Sequence, residues 1–98
     1  MRKTKQEIMR GVNHDASPRP RLIGHNTIEF YFNGMRCIRY HRTTIIMWYG
    51  SKAHIFANGW TTKTTKDRIN KYTNAGIYQK NYVWYMRNGE EFYDGVEV

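Results

Sequence analysis

Between Gly59 and Asn70 the chain gathers the side chains best suited to holding a polyanion: Thr61, Thr62, Thr64 and Thr65, the cations Lys63, Lys66 and Arg68, and Trp60 beside them. Threonine hydroxyls and the free amides of a helix's first turn can receive a phosphate, which lysine or arginine then neutralises. Lys71 adds a cation just beyond. Upstream, Arg36, Arg39 and Arg42 alternate with Cys37, Ile38 and Tyr40 and adjoin His41. Guanidinium groups and aromatic planes interleaved in this way could meet a nucleic-acid backbone and its bases. A plainer assignment stands beside this one. Thr64 and Thr65 would cap a helix, Arg68 would bind Asp67 or a sheet carbonyl, and Trp60 would anchor a loop.

The charge balance favours the first assignment for the pooled cations. Sixteen Lys and Arg against eight Asp and Glu give a net charge of +8 over 98 residues. Residues 22–87 hold ten of the basic residues and only two acids, Glu29 and Asp67, whereas residues 88–98 hold four acids and no base. A basic middle of this kind attracts a polyanion or an acidic protein surface. The bland alternative is that the charge keeps a small, aromatic-rich protein in solution.

Other chemistries fare worse. A metal-dependent nuclease needs converging carboxylates, and two acids in residues 22–87 do not supply them. Metal-free RNA cleavage could use His41, His54 and Lys66 as acid, base and phosphate stabiliser, although nothing in their spacing requires it. Cys37 and His41, four residues apart on one strand, are separated by about 13 Å and cannot share an ion without a bend. No Cys-x-x-Cys or His-x-x-x-His is present, so no metal and no other cofactor is expected. The single cysteine excludes an internal disulfide and fits a buried apolar role. A further possibility is an inhibitor that occupies an acidic surface of a host enzyme or defence factor, with Tyr31, Tyr40, Tyr78 and Trp84 exposed beside arginines.

These residues need elements to position them. Residues 1–24 read as a flexible basic arm: Thr4 to Glu7 has capping-box spacing, but Ser17-Pro18-Arg19-Pro20 breaks regular structure. Residues 25–98 read as one α+β domain. Thr27 to Phe32 alternates, placing Ile28, Phe30 and Phe32 on the expected core face, and Asn33-Gly34 turns the chain back so that Phe30 meets Cys37. Thr43 to Tyr49 is apolar on both parities and should be a central strand. Gly50-Ser51 then sets Met47 opposite His54 and Ile46 opposite Ile55. A helix should start near Thr64 or Thr65, with Asp67 in its first turn, and stop at Asn74-Ala75-Gly76. Strands at 77–79, 82–86 and 91–93 should follow, separated by turns at Lys80-Asn81 and Asn88-Gly89. The order is ββββ-α-βββ, an antiparallel β-meander, curled or barrel-like, with one packed helix.

Gly59-Trp60, Thr62 and Thr64-Thr65-Lys66-Asp67-Arg68-Ile69-Asn70 resemble the Gly-Trp-x-Thr-x-Thr-Thr-Lys-x-Arg-Ile-Asn motif of a family of small bacteriophage proteins. His41-Arg42-Thr43, Tyr78-Gln79 and Trp84-Tyr85 are similar to flanking features of that family, so the resemblance spans roughly residues 36–95. Lys63 departs from it, standing where an apolar residue is usual. The resemblance implies phage origin and an accessory, non-structural role; the single cysteine makes an intracellular place the default expectation, here the cytoplasm of an infected host cell. Joined to the residue chemistry, the resemblance leads to an expected regulatory protein that binds DNA or RNA through Arg36, Arg39, His41, Arg42, Trp60, Lys63, Thr64, Thr65, Lys66, Arg68 and Lys71. No catalytic residue, membrane contact or small-molecule cofactor is expected.

Overall fold

The computed structural model describes residues 19–98. The capping box at Thr4 to Glu7, and the basic arm as far as residue 18, lie outside the described residues. The last four residues assigned to that arm, Arg21–Gly24, form a strand, β1. It pairs antiparallel with β2 (Thr27–Phe32). Pro20 immediately precedes the strand, outside the pairing, so its missing amide costs the ladder nothing.

Next come β3 (Met35–Tyr40), β4 (Thr43–Tyr49) and β5 (Lys52–Ile55), a meander joined by two-residue turns. The expected pairings hold: Phe32 faces Met35, Phe30 faces Cys37, Met47 faces His54 and Ile46 faces Ile55. Asn33 and Gly34 take φ of 50° and 79°, the left-handed pair that such a turn demands. Helix α1 (Lys63–Tyr72) follows, then a separate hairpin, β6 (Tyr78–Lys80) with β7 (Val83–Tyr85). Finally β8 (Val96–Glu97) returns to the edge of β5. The main sheet runs β1-β2-β3-β4-β5-β8 and stays open, so the curled, barrel-like closure is not realised.

Three local expectations shift. The hairpin turn is Asn81-Tyr82, one residue later than expected, which pairs Gln79 with Trp84 and leaves Trp84 buried. Residues 91–93 give only an isolated bridge from Glu91 to Tyr85. The closing strand is β8, whose two residues were too few to signal themselves in the sequence.

The two faces of the sheet are also exchanged. Register puts Glu29, Ile38, Ile46, Ile55 and Val96 on one face, and there Ile69 of α1 joins the main core with Trp84 and Met86 of the second hairpin. The face bearing Phe30, Cys37 and Met47 forms a smaller cluster with Met35 and Phe56. Thr27 and Glu29 are therefore buried, while Phe32 is exposed, the reverse of the face expected from β2. Alternation separates a strand's two faces, but the helix chooses which of them it covers. Between β3 and β4 the register slips at Ile45, and that bulge lets both Ile45 and Ile46 reach the main core.

Candidate functional site

The entry to α1 is built from the chain on either side of it. Asn58 and Gly59, at φ of 49° and 82°, turn the chain so that the Trp60 amide donates to the Ala57 carbonyl at 2.8 Å. Asp94 fixes that turn from outside: its carboxylate accepts the Ala57 amide at 2.7 Å and the Asn58 amide at 3.3 Å. One acid of the C-terminal tail is thus spent on the scaffold. Trp60 emerges from the turn 63% exposed.

The helix cap is Thr62, two or three residues before the expected ones. Its hydroxyl accepts the Thr65 amide at 3.2 Å and donates to the Thr65 hydroxyl at 3.0 Å, burying Thr65 beneath the first turn. Asp67 consequently falls past the first turn and pairs with Lys63 at 3.0 Å. The next residues face inward. Arg68 donates to the Thr27 hydroxyl at 3.0 Å and lies over the Tyr40 ring, and Ile69 enters the core. The Asn70 amide group clasps both backbone groups of Ile77. Trp60, Thr64 and Lys66 are left without such duties, apart from a 3.3 Å contact between the Thr64 and Thr62 hydroxyls.

These outward residues border two hollows flanking the helix entry. The first, of about 460 Å³, lies between that entry and the β3–β4 turn. Tyr40, His41, Arg42 and Thr43 form one wall, and Trp60, Thr62, Thr64 and Thr65 the other. His41 sits at φ 55°, its amide held by the Asn26 carbonyl at 2.8 Å and its ring 4.4 Å from that of Tyr40. On the other side of the entry, Lys63 and Lys66 share a shallower hollow with Gln79, Asn81 and Tyr82. Neither lining contains an acid. Thr43, Thr62 and Tyr82 also line these hollows and were not among the expected contacts. Thr62 could have been found from its three-residue spacing to Thr65, whereas Tyr82 gave no signal until its turn was placed.

The arginine strand does not act as a unit. Arg36 donates to buried Glu29 at 2.7 Å and lies over Trp48, while Arg39 is on the opposite face, over Phe30. Positions 36 and 39 have opposite parity, so one pleated strand cannot present both to one surface. Only Arg42, in the turn, reaches the helix entry. Lys71 lies further along α1, over Tyr72. The hydrogen bond from Arg36, reinforced by the charges of Arg36 and Arg21, holds the Glu29 carboxyl below its ordinary value against the opposing effect of burial.

The two histidines are kept apart. His54 is buried on β5, on the Met47 face, with Nδ1 3.2 Å from the Gly95 carbonyl, and it does not line the cleft that holds His41. Of the aromatic residues expected at the surface, Tyr78 is exposed, Tyr31 is half-buried, and Tyr40 and Trp84 are buried. Among the described residues no three His, Cys, Asp or Glu side chains converge as metal ligands. No helix among them is long and apolar enough to cross a membrane.

Over residues 1–98 the sequence matches the family model described as Kyanoviridae Gp96 protein. No curated protein and no solved structure matches it.

Proposed function

The chain belongs to the Kyanoviridae Gp96 family, a bacteriophage protein family, and we propose that it binds nucleic acid with the surface around the entry to α1, as a small accessory protein regulating gene expression in the infected host. The observation that carries this reading is the unbalanced composition of that surface. Arg42 and Lys66 have no acidic partner among the described residues; Arg42 stands beside Trp60, His41 and Thr64 in one hollow, and Lys66 beside Tyr82 in the other. Cations without local neutralisation, next to hydroxyls and flat rings, are what a phosphate backbone and its bases require. The contact set is narrower than the sequence suggested: Arg42, His41, Trp60, Thr64, Lys63 and Lys66. Arg36, Arg39 and Lys71 stand elsewhere, and Arg68 belongs to the scaffold.

Binding of fluorescently labelled DNA and RNA across a salt series tests this. Affinity should fall steeply with salt, and Arg42→Ala and Lys66→Ala should each flatten the log–log slope by about 0.7–0.9 if each contacts one phosphate. Wild-type protein that binds neither polymer at low salt would end the proposal and turn attention to an acidic protein as the partner.

A further inference from the structure

Three turns of this chain share one form. Asn33-Gly34, Asn58-Gly59 and Asn81-Tyr82 each place both central residues at positive φ. In such a turn glycine is favoured at the second position, because a Cβ there crowds the backbone. The first two turns obey this preference; the third carries a tyrosine at φ 65°. Its ring is 92% exposed, and no hydrogen bond or ring contact among the described residues offsets the disfavoured conformation. A bulky side chain held in the left-handed region with nothing to gain locally points to a role outside the fold.

The position of that ring suggests the role. Tyr82 borders the hollow that contains Lys63 and Lys66, while Trp60 stands at the opposite side of the helix entry, beside Thr64. The two rings are among the most exposed large apolar side chains of the described residues. The helix entry they flank carries the Thr64 hydroxyl, Lys66 and Lys63, the last paired with Asp67 at 3.0 Å. Two exposed rings thus flank a helix entry that carries two lysines.

We propose that the occupant is a single strand of nucleic acid, with bases stacked on Trp60 and Tyr82 and the intervening phosphates on Lys63 and Lys66. The inference rests on the nucleic-acid reading above and narrows it. Exposed aromatic faces can stack only on bases whose own faces are open, and in a duplex those faces are already covered. A duplex reader would instead present a helix face or a ribbon shaped to a groove. Here the exposed aromatic groups sit at turns on both flanks of the helix entry.

Labelled single-stranded oligonucleotides of about a dozen nucleotides, and duplexes of the same length, should be titrated against wild type, Trp60→Ala and Tyr82→Gly. Tyr82→Gly restores the residue that the turn prefers, so its fold is safe, and circular dichroism melts verify this for both variants. The single strand should bind more tightly than the duplex, and each variant should weaken single-strand binding roughly 5- to 150-fold and duplex binding by less. Duplex binding as tight as single-strand binding, or variants that bind like wild type, would overturn the inference while leaving the broader nucleic-acid reading intact. Absence of binding to either form would overturn both.

Discussion

The Arg68 guanidinium donates to the Thr27 hydroxyl at 3.0 Å, a bond that joins helix α1 to the start of β2. Thr27 is fully buried, and its own hydroxyl donates a hydrogen bond to the His25 carbonyl at 2.8 Å. Arg68 also lies over Tyr40, whose ring adjoins His41, so one side chain steadies the wall of the cleft without entering it. A hydrogen bond to a charged group contributes about 1.5–3 kcal/mol. Arg68→Ala should therefore lower stability by about 2 kcal/mol in urea unfolding. Lys66→Ala, which removes no such bond, should stay within about 0.5 kcal/mol of wild type. Equal losses in the two variants would contradict this division of labour.

The helix cap gives a second comparison. Thr62→Ala removes the acceptor of the Thr65 amide and should cost about 1 kcal/mol. Thr64→Ala should cost less than about 0.5 kcal/mol, since Thr64 is exposed and holds no backbone group. Thermal melts of the two variants would show whether the cap has been assigned to the right threonine.

Glu29 predicts how the fold responds to acid. Its carboxyl lies between Arg36 at 2.7 Å and Arg21 at 2.9 Å and is held below its ordinary value of 4.5. A carboxyl whose folded value is depressed contributes stability that is fully present above the unfolded value and lost as pH falls through the folded one. Stability should thus begin to decline near pH 4.5 and continue downward. Glu29→Gln should flatten that part of the pH–stability curve while lowering the neutral plateau. An unaltered acid limb in this variant would place the sensitivity in another group.

Tyr82 offers a prediction with the opposite sign. Relief of a left-handed tyrosine is worth about 1–2 kcal/mol, partly offset by the greater freedom of glycine in the unfolded chain. Tyr82→Gly should accordingly raise the urea midpoint, by up to about 1 kcal/mol in free energy. A lower midpoint would mean that the ring packs usefully in the free protein.

Where periodicity and turn chemistry act locally, the sequence was a sound guide. The Asn33-Gly34 turn set the β2–β3 register, the two-sided apolar run at 43–49 marked a central strand, and Cys37 is indeed a buried side chain. Two conclusions failed. The core face of β2 depended on which side of the sheet α1 would cover, and no local pattern in the strand records that choice. The common surface of Arg36, Arg39 and Arg42 failed on parity, because positions three apart on a pleated strand face opposite sides.

The cleft divides along the same line. Clustering of threonines, cations and Trp60 at the helix entry is a property of neighbours in sequence, so composition and spacing sufficed to find it. Turn geometry and long-range pairing then brought His41 and Arg42 to that entry, took Arg68 away to Thr27, and raised Tyr82 beside Lys66. Alternation and helical spacing are written within a few residues. Adjacency between segments forty positions apart arises only when a shared core is buried, and that is why the tertiary structure decided it.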